Sequence, residues 1–175
     1  PREKDHEYDV DHAGDRFYIR TNDKGRNFRL VTAPAADPQR ENWQELVPHR
    51  DDVMLENVML FAQHYVLQER TNGLPELRVI EMATGNAQRI EIPEPSFALA
   101  AEENEVFNTN VFRYCFESLR TPSSILDYEM TTGQSALLKQ LPVKNYDPGN
   151  YRVERLFATA SDGTRIAISL VYRKD

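Results

Sequence analysis

The sequence predicts an all-β chain, a partial β-propeller of about three four-stranded antiparallel blades followed by a C-terminal β-hairpin. Two observations carry this expectation. Arg-Thr recurs at residues 20–21, 70–71 and 120–121, 50 residues apart each time. Each dipeptide closes an aromatic and aliphatic stretch and precedes a cluster of turn formers: Asn22-Asp23-Lys24-Gly25, Asn72-Gly73 and Pro122-Ser123-Ser124. A second agreement joins the later repeats, which share a Met-x-Thr-Gly ending at Met82–Gly85 and Met130–Gly133.

Taken in order, each repeat reads as four short strands. The opening strands are expected at 7–11, 55–62 and 96–100, and the second strands at 16–19, 65–67 and 112–116. The third strands are expected at 28–31, 77–80 and 125–128. Fourth strands follow at 88–92 and 136–140, and Trp43 in segment 42–47 is placed on the outer strand of the first blade. Residues 51–64 carry a helix-like stripe, but Val58-Met59-Leu60-Phe61 fits a buried strand equally well, and its place in the repeat decides for strand. The blades then span about 1–50, 51–95 and 96–145, with a linker and hairpin over 146–175. One small sheet cannot bury both of its faces alone, so neighbouring blades must stack, and the 8 Phe, 8 Tyr and 1 Trp would fill the layers between them.

Composition narrows the function. With 40% hydrophobic and 28% charged residues, a packed core is expected rather than disorder. Asp plus Glu (28) exceed Lys plus Arg (21), for a net charge of −7, which argues against a general nucleic-acid binder. No apolar run reaches the length of about 18 residues that a membrane helix needs, so no membrane partner is expected. The single cysteine, Cys115, rules out an internal disulfide and any zinc site built from several thiolates, and reads as a buried, inert thiol. The charged start, Pro1-Arg2-Glu3-Lys4-Asp5, resembles no secretion signal, so a cytoplasmic location is the simplest expectation. A chain that begins at proline is expected to lack its true beginning.

Beyond residue 146 the repeat stops. Segments 151–160 and 165–173 flank Ser161-Asp162-Gly163-Thr164, a strong hairpin signal, with Ile166, Ile168, Leu170 and Tyr172 on one face. A two-stranded ribbon alone would be marginal, so the hairpin is expected to begin something larger.

Three stretches carry a family resemblance: Tyr151–Arg155, Ala158–Thr164 and Ile168–Lys174. They are joined by Asp15–Asn22 with Asn27–Leu30, and by Thr121–Ser124 with Asp127-Tyr128. Together they resemble the oligopeptidase B (protease II) branch of the prolyl oligopeptidase family of serine peptidases, over essentially the whole chain. The resemblance implies that the hairpin leads toward an α/β-hydrolase catalytic domain of the same parent chain, which would be this chain's partner. It also implies a cytosolic endopeptidase acting on short peptides after Arg or Lys, with the propeller capping the active site.

No catalytic, cofactor or metal residue can be assigned within the chain. Nucleophilic hydrolysis on that scaffold needs a Gly-x-Ser-x-Gly elbow followed by Asp and His. The glycines stand at 14, 25, 73, 85, 133, 149 and 163, and no two bracket a serine at that spacing. His6, His12, His49 and His64 all precede every serine. Asp9 to Asp15 faintly resembles a calcium loop, but Ala13 takes a ligand position and position twelve falls on Arg20, so a turn between strands is expected. His49-Arg50-Asp51-Asp52 is expected to be a solvated loop. Adjacent acids such as Asp51/Asp52 and Glu102/Glu103 follow from composition rather than from glycosidase chemistry. The repeated Arg20, Thr21, Arg70, Thr71, Arg120 and Thr121 are expected to be structural, each arginine ending an equivalent strand and bridging carbonyls or acids between blades. Two functions remain: a non-catalytic lid and size filter of a serine oligopeptidase, or a stand-alone propeller-like interaction module that completes its ring by self-association.

Overall fold

The computed structural model describes residues 3–174, so Pro1 and Arg2 of the charged start, and Asp175, lie outside the described residues. Among the described residues the chain is all-β, with fourteen strands and two single-turn 3₁₀ segments, Arg40–Asn42 and Pro148–Asn150. The first sheet is β1 (Tyr8–Ala13), β2 (Arg16–Thr21), β3 (Arg29–Pro34) and β4 (Gln44–Val47), in spatial order β1-β2-β3-β4. The second is β5 (Val53–Leu60), β6 (His64–Thr71), β7 (Leu74–Glu81) and β8 (Ala87–Arg89), again in chain order. The third is β9 (Phe97–Ala101), β10 (Val111–Ser118), β11 (Ser124–Glu129) and β12 (Gln134–Gln140). A separate antiparallel pair closes the chain, β13 (Tyr151–Thr159) with β14 (Arg165–Arg173). Consecutive strands joined by short turns are the meander of a propeller blade.

The strands divide between two compact units. The first holds β1 to β8 apart from residues 73–75, together with residues 105–110. The second holds residues 73–75 and β9 to β14.

Period-two alternation explains the packing of the first unit. On β2 and β3, Ile19, Val31 and Ala33 project to one side, where Phe17 and Trp43 cover them. Tyr18 and Leu30 project to the other, joining Phe28, Val47, Leu55, Tyr65, Leu67 and Ile80 in a layer shared by the first two blades. β3 is consequently buried on both faces over Arg29–Ala33. Backbone bonds tie the blades as well. The Leu55 amide donates to the Asn27 carbonyl at 2.9 Å, and the Asn27 side-chain amide donates to the carbonyls of Arg50 and Asp51.

In the second unit β10 alternates cleanly. Phe112, Tyr114 and Phe116 are buried, with the Phe112 and Tyr114 rings stacked at 6.2 Å, whereas Val111, Arg113 and Glu117 face out. β12 and β14 are exposed along their whole length.

Several element ends differ from the sequence reading for identifiable reasons. β8 is only Ala87–Arg89, because Pro93 and Pro95 follow closely and the chain leaves the sheet at Ile90. Trp43 precedes β4 rather than lying on it. Its indole N–H donates to the Pro38 carbonyl at 3.2 Å, which fixes it at the exit of the 3₁₀ turn. Cys115 is half-buried rather than buried, on the outward side of β10, 3.4 Å from the Ser123 hydroxyl.

The shared Met-x-Thr-Gly endings adopt one geometry. Gly85 N–H donates to the Glu81 carbonyl at 2.9 Å and Gly133 N–H to the Glu129 carbonyl at 2.8 Å. Both glycines are left-handed, at φ 73° and 74°, where a Cβ would be strained.

Truncating the shared layer should therefore hurt far more than truncating β12. Leu30→Ala is expected to lower the unfolding free energy by about 2–5 kcal/mol. Leu138→Ala should change it by about 0.5 kcal/mol or less, both read from urea denaturation.

Candidate functional site

Arg20 links its own blade to the next. It sits next to last on β2, opposite Asp9 on β1 and Leu30 on β3. Its Nη1 donates to Asp9 Oδ2 at 2.8 Å, and its Nε donates to the Leu55 carbonyl on the next blade at 3.1 Å. Its guanidinium also lies 3.7 Å above the Phe28 ring. A planar guanidinium directs its N–H bonds in its own plane while its face stacks on a ring, so it fixes both acceptors and the aromatic partner in one orientation. Phe28 holds its ring there with φ 60°, a left-handed conformation unusual for a bulky residue. Thr21, fully buried, bonds its hydroxyl to His6 Nε2 at 2.8 Å.

A cleft of about 300 Å³ opens beside Arg20, lined by Asp9, Val10 and Asp11 of β1, by Tyr18, Arg20 and Leu30, and by Asn57 and Val58 of β5. Asp9 is 77% exposed despite its pairing with Arg20. Among the described residues no cation lies within ion-pair distance of Asp11, whose Oδ1 accepts the His12 amide at 2.7 Å. Burial pushes the Tyr18 phenol upward in pKa, so it remains a neutral donor, aimed at the Met82 sulfur at 3.8 Å.

The other two Arg-Thr pairs occupy different settings. Arg70 and Thr71 end β6, and Arg70 Nε donates to Glu56 on β5 of the same blade at 2.5 Å. Arg120 and Thr121 lie past the end of β10, in the turn toward β11. There Arg120 Nε and the Thr121 hydroxyl both donate to Glu94 Oε1, at 2.8 and 3.1 Å. The Arg120 carbonyl accepts the Tyr146 hydroxyl at 2.5 Å.

Three buried acids escape a reading of sequence. Glu69, 1% exposed, accepts two bonds from Arg78 at 2.9 and 2.8 Å and a further one from Arg50. Glu94, 4% exposed, takes the Arg120 pair. Asp23, 2% exposed, is gripped by Arg29 through 2.7 and 2.8 Å bonds and by Arg40 at 2.9 Å. The Arg29 hydrogen bonds, followed by those of Arg40, hold the Asp23 carboxyl down at about 2. No local motif announces such acids, since each partner comes from another strand or loop.

The loop 49–52 also departs from its expected solvated state. Asp51 and Asp52 are exposed, but Arg50 turns in to Glu69. The His49 ring lies over Gly25, where an added Cβ would come within 2.3 Å of its Nε2. The histidines are dispersed among such packing roles, and no cluster of three or more metal-capable side chains occurs among the described residues.

Comparison with known proteins gives this β architecture its family. The N-terminal β-propeller domain of prolyl oligopeptidase matches residues 1–141. The chain belongs to the prolyl oligopeptidase family. Dipeptidyl aminopeptidase BI of Pseudoxanthomonas mexicana is 43% identical over 177 residues, covering all of this chain and 24% of that protein. Oligopeptidase B of Leishmania major superposes with a TM-score of 0.87 at 32% identity, covering 100% of this chain and 26% of that one. Oligopeptidase B of Trypanosoma brucei with covalently bound antipain, in a closed form, gives a TM-score of 0.88 at 29% identity, covering 99% and 26%. The chain thus spans about a quarter of the length of these relatives and is a partial propeller of the prolyl oligopeptidase family. The family match ends at residue 141, between β12 and the β13–β14 hairpin.

The buried Asp23 pairing predicts a definite acid response. A carboxyl held below its unfolded value stabilises the fold above about pH 4 and loses that contribution as pH falls toward about 2. Urea unfolding should show Asp23→Asn less stable by on the order of 2 kcal/mol near neutral pH. The gap should close on acidification, and one independent of pH would contradict the pairing as its source.

Proposed function

We propose that this chain is a non-catalytic propeller portion of a serine oligopeptidase that cleaves short peptides after Arg or Lys, and that it limits which substrates reach the active centre. One observation carries the reading: residues 1–141 match the N-terminal propeller of a peptidase family, while the chain holds no Gly-x-Ser-x-Gly elbow. The partner on this reading is an α/β-hydrolase catalytic domain of the same parent chain, and the enzyme works in the cytoplasm on short peptides. A closed blade ring with a narrow channel excludes folded proteins, and separation of the domains admits substrate. The net charge of −7 favours encounter with cationic peptides.

The 43% identity to a protein named dipeptidyl aminopeptidase favours a second reading of the parent's specificity, release of dipeptides from peptide amino termini. The stand-alone module keeps one support. Leu137, Leu138 and Leu141 are exposed on and just past β12, apolar surface that self-association would cover.

The isolated 175-residue chain should show no turnover of an arginine ester. Turnover sensitive to a serine-directed reagent would overturn the non-catalytic assignment. Sedimentation separates the module: a defined symmetric oligomer supports it, and a monomer supports the peptidase portion.

A further inference from the structure

We infer that the cleft between β1 and β5 is a binding site for a basic side chain, arginine or lysine, of a peptide. The inference concerns binding by this chain itself and goes beyond the access-filter reading. The cleft volume of about 300 Å³ suits one long side chain rather than a folded partner. Its walls are mixed in a way that matches such a side chain. Leu30 and Val58, with the Tyr18 ring, offer apolar surface to a methylene stem, and Asp9 and Asp11 offer carboxylates to a cationic head, while Val10 between them contributes its backbone.

The charge balance points the same way. Asp9 and Asp11 lie two residues apart on β1 and so share one face of the strand. Arg20 engages only one of them, by a single bond from Nη1 to Asp9 Oδ2. The lining therefore keeps one net negative charge, with Asp11 facing no cation among the described residues. Arg20 is itself immobilised by the Leu55 carbonyl and the Phe28 ring, so it fixes Asp9 without needing to move when a ligand enters. β1 is also an edge strand, paired with β2 alone in its sheet. An extended peptide delivering its side chain to the cleft meets main-chain donors and acceptors along that edge.

Titration of the isotope-labelled 175-residue chain with N-acetyl-arginine methylamide, followed by NMR, tests the site. Saturable shifts are expected at the amides of Val10, Asn57 and Val58. N-acetyl-citrulline methylamide, equal in shape but neutral, should bind about tenfold more weakly. Asp11→Asn should weaken the arginine probe about fivefold or more, and Asp162→Asn in the β13–β14 turn should leave it unchanged. Equal binding of the citrulline probe, an unaffected Asp11→Asn variant, or no saturable shift in the folded chain would each overturn the inference. Glycyl-glycinamide, with a free amino terminus and no basic side chain, separates the other cationic source. If it binds the cleft as tightly as the arginine probe, the assignment to a side chain fails. None of these outcomes depends on peptidase activity, so the site can fail while the access-filter reading stands, and the reverse.

Discussion

Covering both faces of a four-stranded sheet is the constraint from which the rest of this structure follows. β3 shows it most plainly. Arg29 to Ala33 are buried without a break, because alternate residues enter two different apolar layers. Only one of those layers lies within the blade's own reach. The other is completed by Leu55, Tyr65, Leu67 and Ile80 of the following blade. The blade is therefore not an independent folding unit in the energetic sense, since its central strands become stable surfaces only when stacked. The aromatic and branched residues of β2, β6 and β10 are the consequence of that requirement in sequence.

A second consequence is the treatment of charge. Packed blade faces leave acidic groups near strand ends, where desolvation would raise their energy sharply if they stood alone. Three acids are buried, in the β2–β3 turn, on β6 and in the connection between β8 and β9, and arginine answers each: Asp23 with Arg29 and Arg40, Glu69 with Arg50 and Arg78, Glu94 with Arg120. Arginine suits these places because its fork makes two bonds to one carboxylate while its stem stays among apolar side chains. These ion groups define where turns and loops sit more than they add stability. A buried pair gains little over a well-packed apolar substitute, but it is strongly destabilised when one partner is removed.

The division between what the sequence revealed and what it concealed follows the range of the interactions. Local periodicity carried the strands and the Asp-Gly hairpin, and the two Met-x-Thr-Gly endings were legible because a left-handed glycine leaves a fixed mark. Of the stretches that carry the family resemblance, Asp15–Asn22, Asn27–Leu30, Thr121–Ser124 and Asp127-Tyr128 lie inside the matched residues 1–141, and those of the closing hairpin lie beyond them. The Arg-Thr interval misled in one respect, since equal spacing hid unequal structure. β6 turns through Asn72-Gly73 at once, whereas the third repeat spends Leu119 to Ser123 in a longer turn, so Arg120 leaves the strand that Arg70 closes. The buried acids, the left-handed Phe28 and the inward turn of Arg50 were invisible because each depends on a partner from another strand or loop, whether six residues away, as Arg29 is from Asp23, or 26, as Arg120 is from Glu94. The candidate cleft was concealed for the same reason, since its walls come from β1, β2, β3 and β5.

Arg20 joins these threads. The same guanidinium that ties the first blade to the second through Leu55 also braces Asp9 at the mouth of the cleft. A residue used only for packing would be satisfied by buried partners. Arg20 instead spends one arm on an acid that is largely in water, where an isolated ion pair contributes little to stability. Its second arm has the opposite character, because the Leu55 carbonyl is buried between blades and would lose its side-chain donor if the guanidinium moved. The geometry of the exposed arm is thereby set by the buried one. A carboxylate held in place by interblade packing is pre-organised at no further entropic expense when a cation arrives, and in this unit the stacking that stabilises the fold is what fixes the electrostatics of its cleft.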